Sequence, residues 1–445
     1  MTPTRALAEY AAHSKHDDFP SAAIEGAKLT ILDTLGVGFA ALDQPVARSI
    51  LTYIRALGGA PDATVLGAGN YRTSLQLAAQ ANGCLVNILD FDGHWHIPTY
   101  VLPAVLAVGE KAGSSGAEVL EAYLTGLQVA SRMRKTIDAK RAQHVGPTYR
   151  GWYHVSLYGP LAAALAAGKL LKLDADALQG AIGIAAGNSG GVRENLHTSA
   201  KSLASGNAAA LGVQSALLAQ QGVSGALDIL EGRVGLVAAL CQPGECDWTL
   251  INDGLGAPYE VATALGLKLF PSVGPTQLVI LALQELRQAT PFSAEEIESV
   301  EACLSLFSAS GKMPESGLAG GFSWPYVLAS TLVDGSFRVE HLSEAKLRNA
   351  DIVRTAARIK FAPPTQPECV TIVLRDGRRL TAEIKGKRDE LDLDMSSEQI
   401  QEKFRDCARR ALAPDAVSSL EHQVMHLEQL GSMDQFALLL RGPRN

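Results

Sequence analysis

Aromatic side chains make up only 6% of this 445-residue chain, and charged ones only 19%. So few aromatics, against an apolar share of 47% rich in Ala, Leu and Gly, argue against an all-β sandwich. They favour tightly packed helices with small residues at their contacts. The charge is dispersed, with a formal net value of −7 and no Lys/Arg-rich stretch, which excludes nucleic acid as an expected partner. Apolar runs are short: Leu161 to Leu171 is interrupted by Gly168 and Lys169, so no membrane span is expected. The start, Met1-Thr2-Pro3-Thr4-Arg5, lacks a basic segment followed by an apolar one, and the cytoplasm is the expected compartment. Six cysteines are scattered, and the only close pair, Cys241 and Cys246, has no His or second Cys pair beside it. Free, mostly buried thiols are therefore expected rather than a zinc site. No GxGxxG or P-loop is present, and Ser156 lacks the nucleophile-elbow context, which removes nucleotide-dependent and serine-hydrolase chemistries.

What is there is mostly helical periodicity. Pro20 to Ala41 carries Ile24, Ala27, Ile31 and Leu35 at helical spacing behind an expected Ser21 cap. Glu118 to Arg134, a hairpin of Gly159–Leu171 and Ala175–Ala186 capped by Asp174, and Ser205–Gln221 closed by Gly222 read the same way. After Pro271 the character changes. Ile297 to Leu306 alternates in strand fashion, and Val370–Leu374 and Arg379–Ile384 flank Asp376-Gly377, a hairpin signal. Helical patterns at Val279–Arg287 and Leu342–Ile359 lie between, and helices return from Ser397 onward. The expected fold is mainly α, a large all-helical part plus a smaller α+β unit.

The densest polar cluster is Asp90-Phe91-Asp92-Gly93-His94-Trp95-His96. A histidine exchanges protons near neutral pH, and a neighbouring carboxylate orients its ring and raises its basicity. His-x-His beside Asp is also a metal-ligand pattern, and a polar loop capping the next helix is the plain structural alternative. His154 approaches the expected helix start at Gly159-Pro160, and Lys268 stands before Leu269-Phe270-Pro271-Ser272 at the suspected junction, a favoured pocket position. Gly187-Asn188-Ser189-Gly190-Gly191 follows a helical hairpin rather than a strand, so its glycines are expected to allow a close backbone approach and not to cradle a phosphate.

Five segments in order resemble the 2-methylcitrate dehydratase (MmgE/PrpD) family. They are NILDFDG, RGWYHVSLYGPLAAALAAGKLLKLD, GNSGGVREN with the following Lys201 stretch, LKLFPSVGPTQ and GGFSWPYVLASTLVDG. The resemblance implies an all-helical domain over 1–266 and 395–445, a smaller α+β domain over 267–394, and a homodimer. It also implies proton chemistry on a small carboxylate with no metal or organic cofactor. Asp90, Lys201, Lys268 and Tyr326 stand where the family has functional residues.

The departures are equally informative. Asp92-Gly93-His94 replaces the family's Asp-Asp-Thr, Tyr100 stands near its shortened His-Pro element, and its Gly-aromatic-His reads Gly151-Trp152-Tyr153 with His154 one place on. Ser202, Ala204 and Gln277 occupy positions where the family carries Arg or His. Losing those cations predicts a substrate less anionic than a tricarboxylate. The expected enzyme is a cofactor-independent lyase, dehydratase-like, with an epimerase or specialised secondary-metabolism enzyme, or a non-catalytic binding relative, as alternatives. His94 or His154 is the expected acid or base, Tyr153 or Tyr326 a second proton donor, and Lys201 and Lys268 the anion holders, with Asp90 orienting them. His96, Tyr100, Gln277 and Ser202 are the expected substrate contacts.

Overall fold

Helix Ser21–Ala40 is apolar on nearly every side, and a helix with no polar face is stable only when surrounded. The computed structural model, which describes residues 1–263, 265–306, 309–386 and 395–442 and of His94 only the backbone, buries it on all sides. Pro20 stands at its N-cap, so Ser21 is the first helical residue rather than the cap. Against it lie helices Leu75–Leu85, Pro98–Ala112 and Gly116–Ile137, and helices His154–Leu170 and Lys201–Gln220 pack on these in turn. Small residues set their crossings. A Cβ at Gly83 would lie 2.9 Å from the Cα of Gly206, and one at Gly206 would strike Cys84 Sγ and the Gln80 carbonyl. Asp174 caps helix Ala175–Gly187 as expected, accepting the Ala177 N–H at 2.9 Å.

Two helices start earlier than their patterns predict. Lys201–Gln220 begins four residues before Ser205, which brings Lys201 into its first turn. His154–Leu170 begins five residues before Gly159 and runs through Pro160. Proline has no N–H for the Ser156 carbonyl, and the Gly190 N–H supplies the missing bond at 3.1 Å. The Gly-rich loop is thereby stitched to this helix start, with Tyr153 N–H donating to the Gly191 carbonyl at 2.9 Å and Arg193 N–H to that of Gly151 at 2.8 Å.

The four-stranded sheet runs Ile359–Ala362, Ile297–Cys303, Cys369–Leu374, Arg379–Glu383 in spatial order. The first pair is parallel and the others antiparallel. Asp376-Gly377 makes the expected hairpin turn, with Gly377 at φ +87°. The helix expected over Leu342–Ile359 is instead two short helices, Glu344–Leu347 and Ala350–Ala356, followed by a strand from Ile359. Asn349 breaks the pattern because its side chain accepts the N–H groups of Asp351 and Ile352 and starts a new helix. Helices Gln277–Ala289 and Trp324–Asp334 cover the sheet, with Val279, Leu283, Trp324 and Leu328 meeting Val300 and Ile372 in a core of their own.

The last helices pack elsewhere. Ser397–Ala408 lies along Ser21–Ala40, where the Phe404 backbone approaches the space over Gly36. The Gly67 N–H donates to the Leu440 carbonyl at 2.8 Å. No described helix is long and apolar enough to cross a membrane.

Candidate active site

Three non-glycine residues within seven positions, Asp90, Trp95 and His96, hold φ between 50° and 65°. Left-handed backbone is costly for such side chains and collects where a site overdetermines it. Here it turns the chain after helix Leu75–Leu85 inward, so that Asp90 is buried between two lysines. Lys201 Nζ donates to Asp90 Oδ1, and Lys268 Nζ to Oδ2 at 2.8 Å and to the Asp90 carbonyl at 2.6 Å. Burial alone raises a carboxyl pKa, but the two ammonium groups, with His96, hold Asp90 well below the usual carboxylate range. Burial pulls Lys268 below the ordinary lysine value, against Asp90.

Close packing brings the lysine segment to the aspartate loop. A Cβ at Gly93 would lie 2.5 Å from the Gly266 carbonyl oxygen and closer still to Leu267 Cα. Glycine is required there because the two strands of chain touch. Behind them, Lys403 of helix Ser397–Ala408 donates to the carbonyls of Phe91 and Lys268, both at 2.8 Å. Its charge is met by buried Asp33 at 2.6 Å.

The two histidines differ in setting. His96 Nδ1 is 2.5 Å from Asp92 Oδ2, and Asn87 donates to Asp92 at 3.0 Å. His96 Nε2 faces Asp90 Oδ1 at 3.5 Å. His154 stacks on His96 with ring centroids 6.2 Å apart, and its Nε2 lies 3.3 Å from the Trp95 carbonyl. Burial, aided by His96 and Arg141, pushes the His154 pKa well below the ordinary imidazole value. Burial and the nearby Asp90 and Asp92 push the Tyr153 phenol well up. Its hydroxyl is buried with no hydrogen-bond partner among the described residues.

These side chains line a cleft enclosing about 920 Å³, its open mouth included. Asp90, His96, Tyr153, His154, Lys201 and Lys268 all face it. The His94 side chain lies outside the described residues. Four other expected site residues are not among those lining the cleft. Tyr326 is buried and donates to the His341 carbonyl at 2.7 Å. Gln277 spends its amide on the 269–272 loop, accepting from Leu269 and Phe270 and donating to Phe270 and Ser272. The Ser202 hydroxyl bonds the Ser199 carbonyl at 3.1 Å, and Tyr100 is fully buried.

Two cations not anticipated from sequence, Arg141 and Arg193, also face the cleft. Arg141 follows helix Gly116–Ile137 in a stretch that reads as solvated, and Arg193 opens the short turn Arg193–His197 just after the Gly-rich loop. Nothing in their local pattern points inward. Among the described residues the cleft thus holds four cationic side chains against two carboxylates, an excess of two positive charges before the imidazoles are counted.

Asp90, Asp92 and His96 also offer ligand atoms within 4.8 Å of one another. A divalent cation would have to enter beside two lysine charges already on Asp90. Such a donor set suits an incoming anion better than a metal.

The chain matches the model of the MmgE/PrpD N-terminal domain over residues 5–249 and that of the MmgE/PrpD C-terminal domain over 270–429. Cis-aconitate decarboxylase of Mus musculus is 28% identical over 443 residues, covering 94% of this chain and 89% of the relative. The Homo sapiens protein of the same name is 27% identical, covering 94% and 90%. A 2-methylcitrate dehydratase of Salmonella typhimurium is 26% identical over 310 residues, covering 65% and 63%. With both domain models in sequence order and lyases by name among its relatives, the chain belongs to the MmgE/PrpD family as an enzyme of the lyase class.

Proposed function

We propose that this lyase acts without metal or organic cofactor on a small carboxylate substrate, either abstracting a proton beside an activating carboxylate or carbonyl with loss of water, or losing CO₂ with a proton delivered to the carbon skeleton in its place. The observation that carries the reading is the Asp90 carboxylate held by two buried ammonium groups in a cleft that also presents two imidazoles and an unpartnered phenol. His154 serves as base, because burial keeps its ring neutral and able to accept a proton. Tyr153 serves as acid, because its phenol stays protonated. Lys201 and Lys268 exchange part of their hold on Asp90 for the substrate anion and stabilise the enolate-like charge as it forms. Asp92 fixes the ring of His96, which orients Asp90 or contacts substrate.

The positive excess offsets part of the cation loss at Ser202, Ala204 and Gln277, from which a substrate less anionic than a tricarboxylate is expected. Gln277 is occupied by the backbone, and other residues bring cations to the cleft. The division into a helical domain of 1–266 with 395–445 and an α+β domain of 267–394 fits a cleft lined from both sides of residue 267. A homodimer in the cytoplasm completes the reading.

Deuterium wash-in from heavy water tests the chemistry. Purified protein is expected to exchange a carbon-bound hydrogen of cis-aconitate, 2-methylcitrate or a related acid, and K201M and K268M to lose that exchange by at least ~100-fold. Absence of exchange across a broad panel of carboxylic acids overturns the lyase mechanism.

A further inference from the structure

Some arginines in this protein meet acids: Arg150 pairs with Glu245 at 2.7 Å and Arg405 with Glu421 at 2.5 Å. Arg141 and Arg193 do not. Among the described residues, neither guanidinium has a carboxylate at ion-pair distance, although both are half-buried in the cleft wall. Arg193 Nη1 donates only to the Thr148 carbonyl, at 3.1 Å. Arg141 rests on Trp95, its Cζ 4.9 Å from the ring centroid. The same ring carries Arg134 at 4.4 Å, but Arg134 is answered by Glu260 at 3.6 Å. Burial and then the like charge of Arg141 pull Arg193 below the ordinary arginine value, which puts the two guanidiniums within each other's field. Two partly desolvated like charges facing one space are unfavourable, and an anion between them relieves both costs.

We propose that Arg141 and Arg193 form a carboxylate grip that reads a second acid group of the substrate, with Trp95 as the platform that positions Arg141. The lysines beside Asp90 take the carboxylate next to the reacting carbon, and the guanidiniums take another. The substrate is then at least a dicarboxylate. Arg141 and Arg193 are its specificity determinants, supplying from two loops the cations absent at Ser202 and Ala204. This rests on the carboxylate reading above for the class of ligand.

Succinate and butyrate, four-carbon acids with two carboxylates and one, are the probes, and calorimetry on the full chain is the measurement. Wild type is expected to bind succinate more tightly than butyrate by roughly 10- to 100-fold, the worth of one charge-assisted contact. R141Q and R193Q are each expected to erase most of that ratio by weakening succinate alone, and R193K to restore part of it. W95L is expected to weaken succinate while leaving butyrate unchanged. Unchanged butyrate binding shows each variant still folded. Equal binding of the two acids by wild type, a ratio that survives R141Q and R193Q, or no binding of succinate at tens of millimolar overturns the proposal. Binding of these acids needs no turnover, so a failed lyase mechanism and a failed grip give different results.

Discussion

A single carboxylate, Asp90, holds two ammonium groups, and all three side chains are almost fully buried. Removing one member of such a group leaves an uncompensated buried charge, which costs about 3–5 kcal/mol. D90N is therefore expected to lower the melting temperature clearly and abolish exchange, and a stable, active D90N would refute the assigned role. His154 makes a pH prediction. Its folded pKa lies well below the unfolded value of about 6.5, so the unfolded chain binds a proton that the native one refuses. Stability then falls as pH drops below about 6.5, while activity persists there because the ring stays neutral. A rate profile whose acid limb lies at or above that value, measured under saturating substrate, argues against His154 as the base. At this scale the sequence was partly legible. Asp90, His96, His154, Lys201 and Lys268 stand in local patterns that carry the signal. Arg141 and Arg193 do not, because a guanidinium's partner, or its lack of one, is a matter of other loops. Tyr326 and Gln277 lie off the cleft lining for the same reason, since their hydrogen bonds go to backbone that no spacing predicts.

Among elements, helix Ser397–Ala408 has a role its own sequence hides. Its pattern, with Ile400, Phe404 and Cys407 on one face, predicts only a buried stripe. Lys403 ties the carbonyls of Phe91 and Lys268 together, which aligns the aspartate loop with the lysine segment. K403M strands Asp33 and is expected to cost about 3–5 kcal/mol. The D33N/K403M pair removes both charges and should regain much of that stability while turnover stays depressed, because the two carbonyls have lost their shared donor. Scanning calorimetry with the exchange assay separates these effects, and a double variant with wild-type turnover would sink the idea. G93A tests the same contact from the other side. Its Cβ falls on Leu267, and overpacking of this kind costs about 1–3 kcal/mol. Loss of activity well beyond the loss of stability is expected, because the loops that set the Asp90–Lys268 contact are pushed apart.

For the whole molecule, acid sensitivity is the sum of buried groups. Burial depresses His341 as it does His154, and Asp90 and Asp92 sit below the usual carboxylate range. Depressed histidines lose stability below about pH 6.5, and depressed carboxylates lose theirs as pH falls below about 4. Melting temperature should therefore decline in two stages on acidification, and H154Q should shallow the first. A melting temperature flat from neutral pH to pH 5 would contradict it. The proposed homodimer is tested by light scattering, which is expected to give twice the 46.9 kDa chain mass, and a monomer mass would overturn it. The fold class is legible in the sequence alone, because helical periodicity and ordered motifs are local, and those motifs also point to the neighbourhood of the candidate site. Only tertiary structure decided which cations face the cleft, why residue 93 is glycine, and that Lys403 holds two distant segments together. Each depends on contacts between residues far apart in sequence, and such contacts leave no local spacing to read.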